Sequence, residues 1–195
     1  MNYIIGVDEV GRGPIAGPVT VCAAMVPRGF VFAGVCGDRP NDSKKLSAKK
    51  REEWFLYAKE HPKISYTTSS VSPSVVDKIG ISRATALAVE RSIKKLSSTW
   101  GSDPQVEVLL DGLLYAPAEY KQKTIIKGDE KEPIISLASI IAKVTRDKYM
   151  TKLAKKYLEY GFERHKGYGT KKHYEYIKKY GISDVHRRSF LKNLH

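Results

Sequence analysis

YIIGVDEVGRGPIAGPVTVCAAMV (residues 3–26) runs from an apolar segment into two acids, Asp8 and Glu9, then through a glycine-arginine turn into a second apolar segment. Both apolar segments are rich in β-branched residues and read as strands, over 3–8 and 18–26, with GPIAGP as the turn region between them. Acids at the end of a buried-looking strand need something to neutralise them. The turn after them, Gly11-Arg12-Gly13-Pro14, combines backbone freedom with a cation, a combination suited to close approach to an anionic or hydroxyl-bearing ligand. A GRG tripeptide taken alone reads equally well as an ordinary turn with a solvated arginine, and the P-loop pattern is absent.

Working outward, strands and helices alternate. FVFAGVC (30–36) reads as a third strand, followed by the loop GDRPNDS. Ser47 caps a helix over 47–60, and KISYTTSSV (63–71) alternates as a strand. Ser72-Pro73 starts a short helix that Gly80 stops, and Ser82 caps a longer one with Ala86, Val89, Ile93 and Leu96 on one face. VEVLLD (106–111) and KTIIK (123–127) are short strands. Pro133 opens a long helix expected to run to about Tyr160, where Gly161 ends it, with Leu137, Ile141 and Val144 on one face. A last helix spans Thr170 to Tyr180. The pattern predicts an α/β fold with a mixed central sheet flanked by helices. It divides into a core over 1–160 and a small C-terminal helical region over 161–195, forming one functional unit.

The 195 residues carry 34 Lys and Arg against 21 Asp and Glu, a net charge of +13, which favours a polyanionic partner. No apolar run reaches the ~18 residues of a membrane span, and the N-terminus lacks a signal-peptide pattern. Nucleic acid is therefore the expected partner and the cytoplasm the expected location. Cys22 and Cys36 make neither a metal spacing nor a disulfide framework.

Against that positive background, acids stand where strands end: Asp8 and Glu9 after the first, Asp111 after VEVLL, and Asp129 just beyond KTIIK. Strand ends that lie side by side form sites in α/β sheets. Several acids on one rim suit a hard divalent cation such as Mg²⁺. The spacing alone leaves a metal site and a set of turn or cap acids both open, because adjacent Asp8 and Glu9 face opposite sides of a regular strand. A bend at Glu9, or ligation through its backbone carbonyl, would remove that objection.

Six segments occur in order: VDEVGRGPIAGPV, NDSKKLS, LLDG, KGDEKEPIISLASIIAKVTRD, HKGYGTKKH and HRRSF. Together they resemble the bacterial ribonuclease HII family, over nearly the whole chain from Val7 to Phe190. The resemblance implies a ribonuclease H-like fold with a small C-terminal helical region. It implies cleavage of the RNA strand of RNA–DNA hybrids and incision of duplex DNA 5′ of embedded ribonucleotides. It also implies hydrolysis with two Mg²⁺ or Mn²⁺ ions, leaving a 3′-hydroxyl and a 5′-phosphate. Asp8, Glu9, Asp111 and Asp129 then correspond to the catalytic, metal-binding acids. Gly11, Arg12 and Gly13 correspond to a sensor of the ribose 2′-hydroxyl, and Tyr168 to a reader of the junction between ribose and deoxyribose.

Lys44, Lys45, Lys143 and Arg146 are candidate phosphate contacts, as are Lys166, Lys171 and Lys172, although each reads singly as a solvated cation. Ser139, Lys143 or Arg146 is expected to face the groove, with the apolar face of their helix under the sheet. HRRSF either braces the C-terminal region or touches backbone. The five histidines form no evident pair of the kind that metal-free ribonucleases need. Two alternatives remain. A ribonuclease HIII-type enzyme usually carries Lys where Arg12 stands and a sizeable N-terminal binding domain, whereas seven residues precede Asp8 here. A non-catalytic nucleic-acid-binding module would explain the charge, but carboxylates facing phosphate would weaken it. A monomer is expected.

Overall fold

The computed structural model describes residues 3–32, 40, 43–98 and 106–191. Five strands form one mixed sheet: β1 (Tyr3–Val10), β2 (Val19–Pro27), β3 (Ser65–Val71), β4 (Glu107–Asp111) and β5 (Lys121–Ile125), in the order β3-β2-β1-β4-β5. β1 pairs antiparallel with β2 and parallel with β4, and β5 extends the parallel half. The parallel pairing of Val7 with Leu110 brings the carboxyl ends of β1 and β4 together, with Asp8 and Asp111 one residue further on.

Alternation along the strands builds two cores. Ile5 and Val7, with Val19, Val21, Ala23, Val108 and Leu110, face α2 (Pro73–Ile79) and α3 (Ile81–Ser97). Cys22, Ala24, Val26 and Leu109 face α1 (Ala48–Glu60) and the long helix α5 (Pro133–Lys156), which follows the single-turn α4 (Gly128–Lys131). α5 is buried without interruption from Ile134 to Ala142, so its first half is core on every side. Gly6 admits it, because a Cβ there would overlap the backbone of Ile134. A third cluster unites Ile15 and Ala16 of the first turn with Met150 and Ala154 of α5. It also takes in Phe162 of α6 (Phe162–His165), Ile177 of α7 (Lys171–Tyr180), and Tyr160 and Leu191. The residues after 160 thus share their core with the end of α5 and with the turn after β1.

Several sequence expectations shift. Gly80, not Ser82, is the N-cap of α3; its φ of 81° suits glycine and lets one residue end α2 and begin α3. α5 stops at Lys156, where two lysines sit favourably in the last turn. A 3₁₀ turn, Leu158–Tyr160, then leads to left-handed Gly161. β5 lies two residues earlier than KTIIK, fixed by its pairing with β4. Phe30, Val31 and Phe32 are not strand; the ring of Phe30 packs edge-on against those of Phe32 and His61 instead. The rest of the expected third strand, from 33 to 36, lies outside the described residues.

Candidate active site

Asp8 shares its strand face with Gly6 and so points at α5. It is buried, and Ser139 of α5 hydrogen-bonds its carboxylate. Ser139 Oγ in turn lies 2.9 Å from Ser43 Oγ, a second buried hydroxyl. The Glu9 amide donates to Asp8 Oδ1 at 2.7 Å. On β4, Asp111 has the parity of Leu109 and meets the same face. Its Oδ1 accepts the Gly128 amide at 2.6 Å, which draws the start of α4, and hence buried Asp129, to the end of β4. Gly128 is required there, since a Cβ would crowd Ile135 and lie 3.3 Å from Asp111 Oδ1. Lys127 before it adopts φ 55°, an unusual left-handed conformation for a side-chain-bearing residue.

The acids feel one another. Burial first, then the charge of Glu9 and that of Asp111, push the Asp8 carboxyl well above its ordinary value, against the opposing bond from Ser139. Glu9 is likewise raised by burial and by Asp111, and lowered by the Arg12 guanidinium, 3.8 Å from Glu9 Oε1. Such a set of carboxylates is stabilised by a hard divalent cation. The donor chemistry fits that group: oxygen ligands only, raised proton affinity at Asp8 and Glu9, and convergence from two strand ends and a helix start. As placed, no three His, Cys, Asp or Glu side chains among the described residues stand close enough to hold an ion.

The glycine-arginine turn lies directly after these acids. Gly11 is buried with φ 89°, and a Cβ there would overlap the Arg146 side chain. Gly13 is exposed with open space around it. The loop of Tyr168 is zipped to the same turn, as the amides of Ile15 and Ala16 donate to Gly167 O at 2.9 and 3.2 Å. Tyr168 is 43% exposed and belongs to none of the buried clusters.

Arg146 corrects one expectation. It is fully buried, and its guanidinium donates to the carbonyls of Pro18, Ala16 and Lys166 at 2.9, 3.2 and 2.9 Å, so it braces loops and cannot reach a phosphate. Lys143 is half-buried and donates to Asp147 at 2.9 Å. Lys166 Nζ donates to Thr151 Oγ1 and Glu163 O, both at 2.8 Å. Exposed Lys44 and Lys45 lie at the acids instead: Lys44 Nζ is 3.9 Å from Asp129 Oδ2, and Lys45 Nζ is 3.7 Å from Glu130 Oε2. Lys171 and Lys172 line a groove at the start of α7 with Arg164 and Tyr176.

Two histidines do meet, but buried in the fold and not as the catalytic pair that a metal-free ribonuclease needs. His173 Nε2 and His186 Nε2 are 3.1 Å apart. His173 Nδ1 is 2.8 Å from Tyr168 O, and His186 Nδ1 is 3.1 Å from the Ser183 amide. A carbonyl can only accept and an amide can only donate, which fixes the tautomers. His173 carries its proton on Nδ1, and His186 carries its proton on Nε2 and donates it to His173. Burial lowers both to about 4, so they are neutral structural groups holding Tyr168 from behind. The sequence reading also passed over Ser43 and left the role of Arg187 open, although they lie within motifs it had singled out, NDSKKLS and HRRSF. Polar residues inside an otherwise recognisable motif are the signal that could have found them.

The ribonuclease HII family model matches residues 5–193. The ribonuclease HII of Caldicellulosiruptor bescii is 45% identical over 193 residues, 99% of this chain and 88% of that protein. Among solved structures, the ribonuclease H2 of Pyrococcus horikoshii OT3 superposes with a TM-score of 0.69 at 27% identity, covering 96% of this chain and 93% of that one. Bst-RNase HIII in complex with Mn²⁺ has a TM-score of 0.71 at 17% identity, covering 97% of this chain and 64% of that one, a likeness of fold alone. The fold is thus that of the type 2 ribonucleases H, and the protein is a nuclease, a hydrolase of phosphodiester bonds. With the sequence match spanning nearly every residue and the acids converging at the ends of β1 and β4, the chain belongs to the ribonuclease HII family.

Proposed function

We propose that the chain hydrolyses the RNA strand of RNA–DNA hybrids and incises duplex DNA 5′ of embedded ribonucleotides, leaving a 3′-hydroxyl and a 5′-phosphate. The observation that carries this reading is the meeting of Asp8 and Asp111 at adjacent parallel strand ends, with Asp129 drawn in by the Gly128 amide at 2.6 Å. Asp8, Glu9, Asp111 and Asp129 would hold two divalent cations, Mg²⁺ or Mn²⁺, which when bound lower the pKa of a water and stabilise the leaving 3′ oxygen.

The chain's own residues do the rest. Ser139 and the Glu9 amide orient the Asp8 carboxylate, and the Gly128 amide orients that of Asp111. Gly11, Arg12 and Gly13 present hydrogen-bonding groups to the ribose 2′-hydroxyl; a deoxyribose leaves them unpaired, at about 1–3 kcal/mol. Tyr168 lays its exposed ring on the next sugar, where a second 2′-hydroxyl would crowd it. Lys44 and Lys45, beside Asp129 and Glu130, are placed to meet backbone phosphate once cations neutralise the acids. No helix among the described residues is long and apolar enough to cross a membrane.

The test is a DNA duplex holding one ribonucleotide, incubated with Mg²⁺, with Mn²⁺ or with excess EDTA, and the cut mapped. A single incision 5′ of the ribonucleotide in either metal is expected. Full activity in EDTA, or a 2′,3′-cyclic phosphate product, would overturn the reading.

A further inference from the structure

Two arginines are buried completely behind the glycine-arginine turn, yet neither forms an ion pair among the described residues. Arg187 donates through Nε to Gly17 O at 3.0 Å and through its two terminal nitrogens to Arg12 O and Gly11 O, at 2.9 and 2.6 Å. Arg146 takes the carbonyls of Ala16, Pro18 and Lys166. Six carbonyls, five of them from Gly11 to Pro18, thus converge on two planar guanidinium forks. A buried cation is costly unless its hydrogen bonds are satisfied. Two like charges side by side add to that cost; burial first, and the Arg146 charge second, lower Arg187 to about 10. An arrangement this costly fixes a shape.

The shape has a direction. In a trans peptide the C=O of one residue and the N–H of the next point opposite ways. Arg187 draws the Gly11 and Arg12 carbonyls inward, so the amides of Arg12 and Gly13 are turned outward. Neither amide has a hydrogen-bond partner among the described residues, and around Gly13 there is open space. They form a pair of donors aimed away from the protein, next to the acids. Asp77 of α2 anchors the arginine's own segment by accepting the amides of Arg188 and Ser189 at 2.9 and 3.0 Å. Arg146 links the turn to the other loop, since it bonds Lys166 O and its Cζ lies 5.9 Å from the Tyr168 ring centroid.

We propose that Arg187, seconded by Arg146, is a positioning residue for ribose selectivity: it presets the outward amides of Arg12 and Gly13 and locks that turn to the Tyr168 loop as one rigid reader. The proposal rests on the reading of this turn as the ribose sensor. Preorganised donors cost no reordering when substrate arrives, and a small misplacement of them is expensive in rate.

The test compares wild type with Arg187→Lys, which keeps the charge and loses the fork, and with Arg187→Met, which keeps neither. Affinity is measured in EDTA for a duplex with one ribonucleotide and for the all-DNA duplex of the same sequence; kcat, KM and melting temperature are measured alongside. Phosphate contacts are untouched, so all-DNA affinity is expected to stay within about twofold. The ribonucleotide preference is expected to fall about tenfold or more, with kcat losing more than KM. An unchanged preference in a folded variant overturns the proposal, as does an equal loss on both duplexes in step with the folded fraction. A wild type that shows no preference would instead remove the ribose reading on which the proposal stands. Where a variant does not fold, amide exchange in the wild type decides. The Ile15–Gly17 amides are expected to be equally protected free and duplex-bound, and protection that arises only on binding would overturn the preset turn.

Discussion

The carboxyl end of β1 and the turn after it adjoin two regions of opposite electrostatic character. On one side, Asp8, Glu9, Asp111 and Asp129 converge, and burial and mutual repulsion push Asp8 and Glu9 toward protonation. On the other, Arg146 and Arg187 are buried more deeply, yet each donates to three backbone carbonyls. The second region is satisfied from within the chain and acts as scaffold. The first is short of compensating charge at Asp8 and Glu9, and on that ground we propose it as the reacting centre. Burial of charge alone does not separate site from scaffold; the state of its hydrogen bonds and counter-charges does.

The strongest way to break this contrast is to remove an acid. Asp111→Asn is expected to lower turnover by about 100-fold or more, with duplex binding intact or tighter because one repulsive charge is gone. Gel-shift and cleavage assays on one duplex measure both. Asp8→Asn should lose turnover alike, yet raise the metal-free melting temperature near neutral pH. The folded state holds that carboxyl's pKa above the unfolded value, so ionisation at pH 7 opposes folding. A lower melting temperature would place Asp8 with the scaffold.

Removing an arginine should do the reverse. Arg146→Met leaves the carbonyls of Ala16, Pro18 and Lys166 buried without a donor and costs about 3 kcal/mol or more, roughly 10 °C of melting temperature for a chain this size. A shift of a degree or two would show the clamp to be dispensable. Tyr168→Ala sharpens the contrast within the reader itself. The exposed ring contributes little stability, so the melting temperature should move little. Cleavage at a single ribonucleotide should fall about tenfold more than cleavage of a uniform hybrid. Equal losses on both substrates would make Tyr168 structural.

The smallest effect concerns the neutral histidine pair. His173 and His186 titrate near 4 in the folded protein against 6.5 in an unfolded chain, so between these values the unfolded chain binds more protons. Their contribution is fully present above about pH 6.5 and lost as pH falls toward 4. Asp8 acts with opposite sign at acidic pH, so the measurement is the difference in melting profile between wild type and His186→Gln. A difference independent of pH would mean that the pair is not held neutral.

Local chemistry made much of the molecule legible in advance. The strands β1 and β2 announced themselves by β-branched runs, β3 by alternation, β4 by a short apolar segment, α2 by Ser72-Pro73, α7 by Thr170 and Gly181, and the acid positions by their places at strand ends. Each of these signals lies within a few consecutive residues. What the sequence alone could not decide depends on contacts between residues far apart in the chain. The parallel register of Val7 with Leu110 brings Asp8 beside Asp111, a pairing across about a hundred positions. Arg146 read as a groove cation and Arg187 as an undecided one, because an arginine's surroundings are invisible until the chain folds around it. Tertiary packing turned both inward, onto carbonyls of which all but that of Lys166 lie more than a hundred residues away. Composition supplied the charge and local pattern the strands, while long-range packing chose which charges would be satisfied from within the chain.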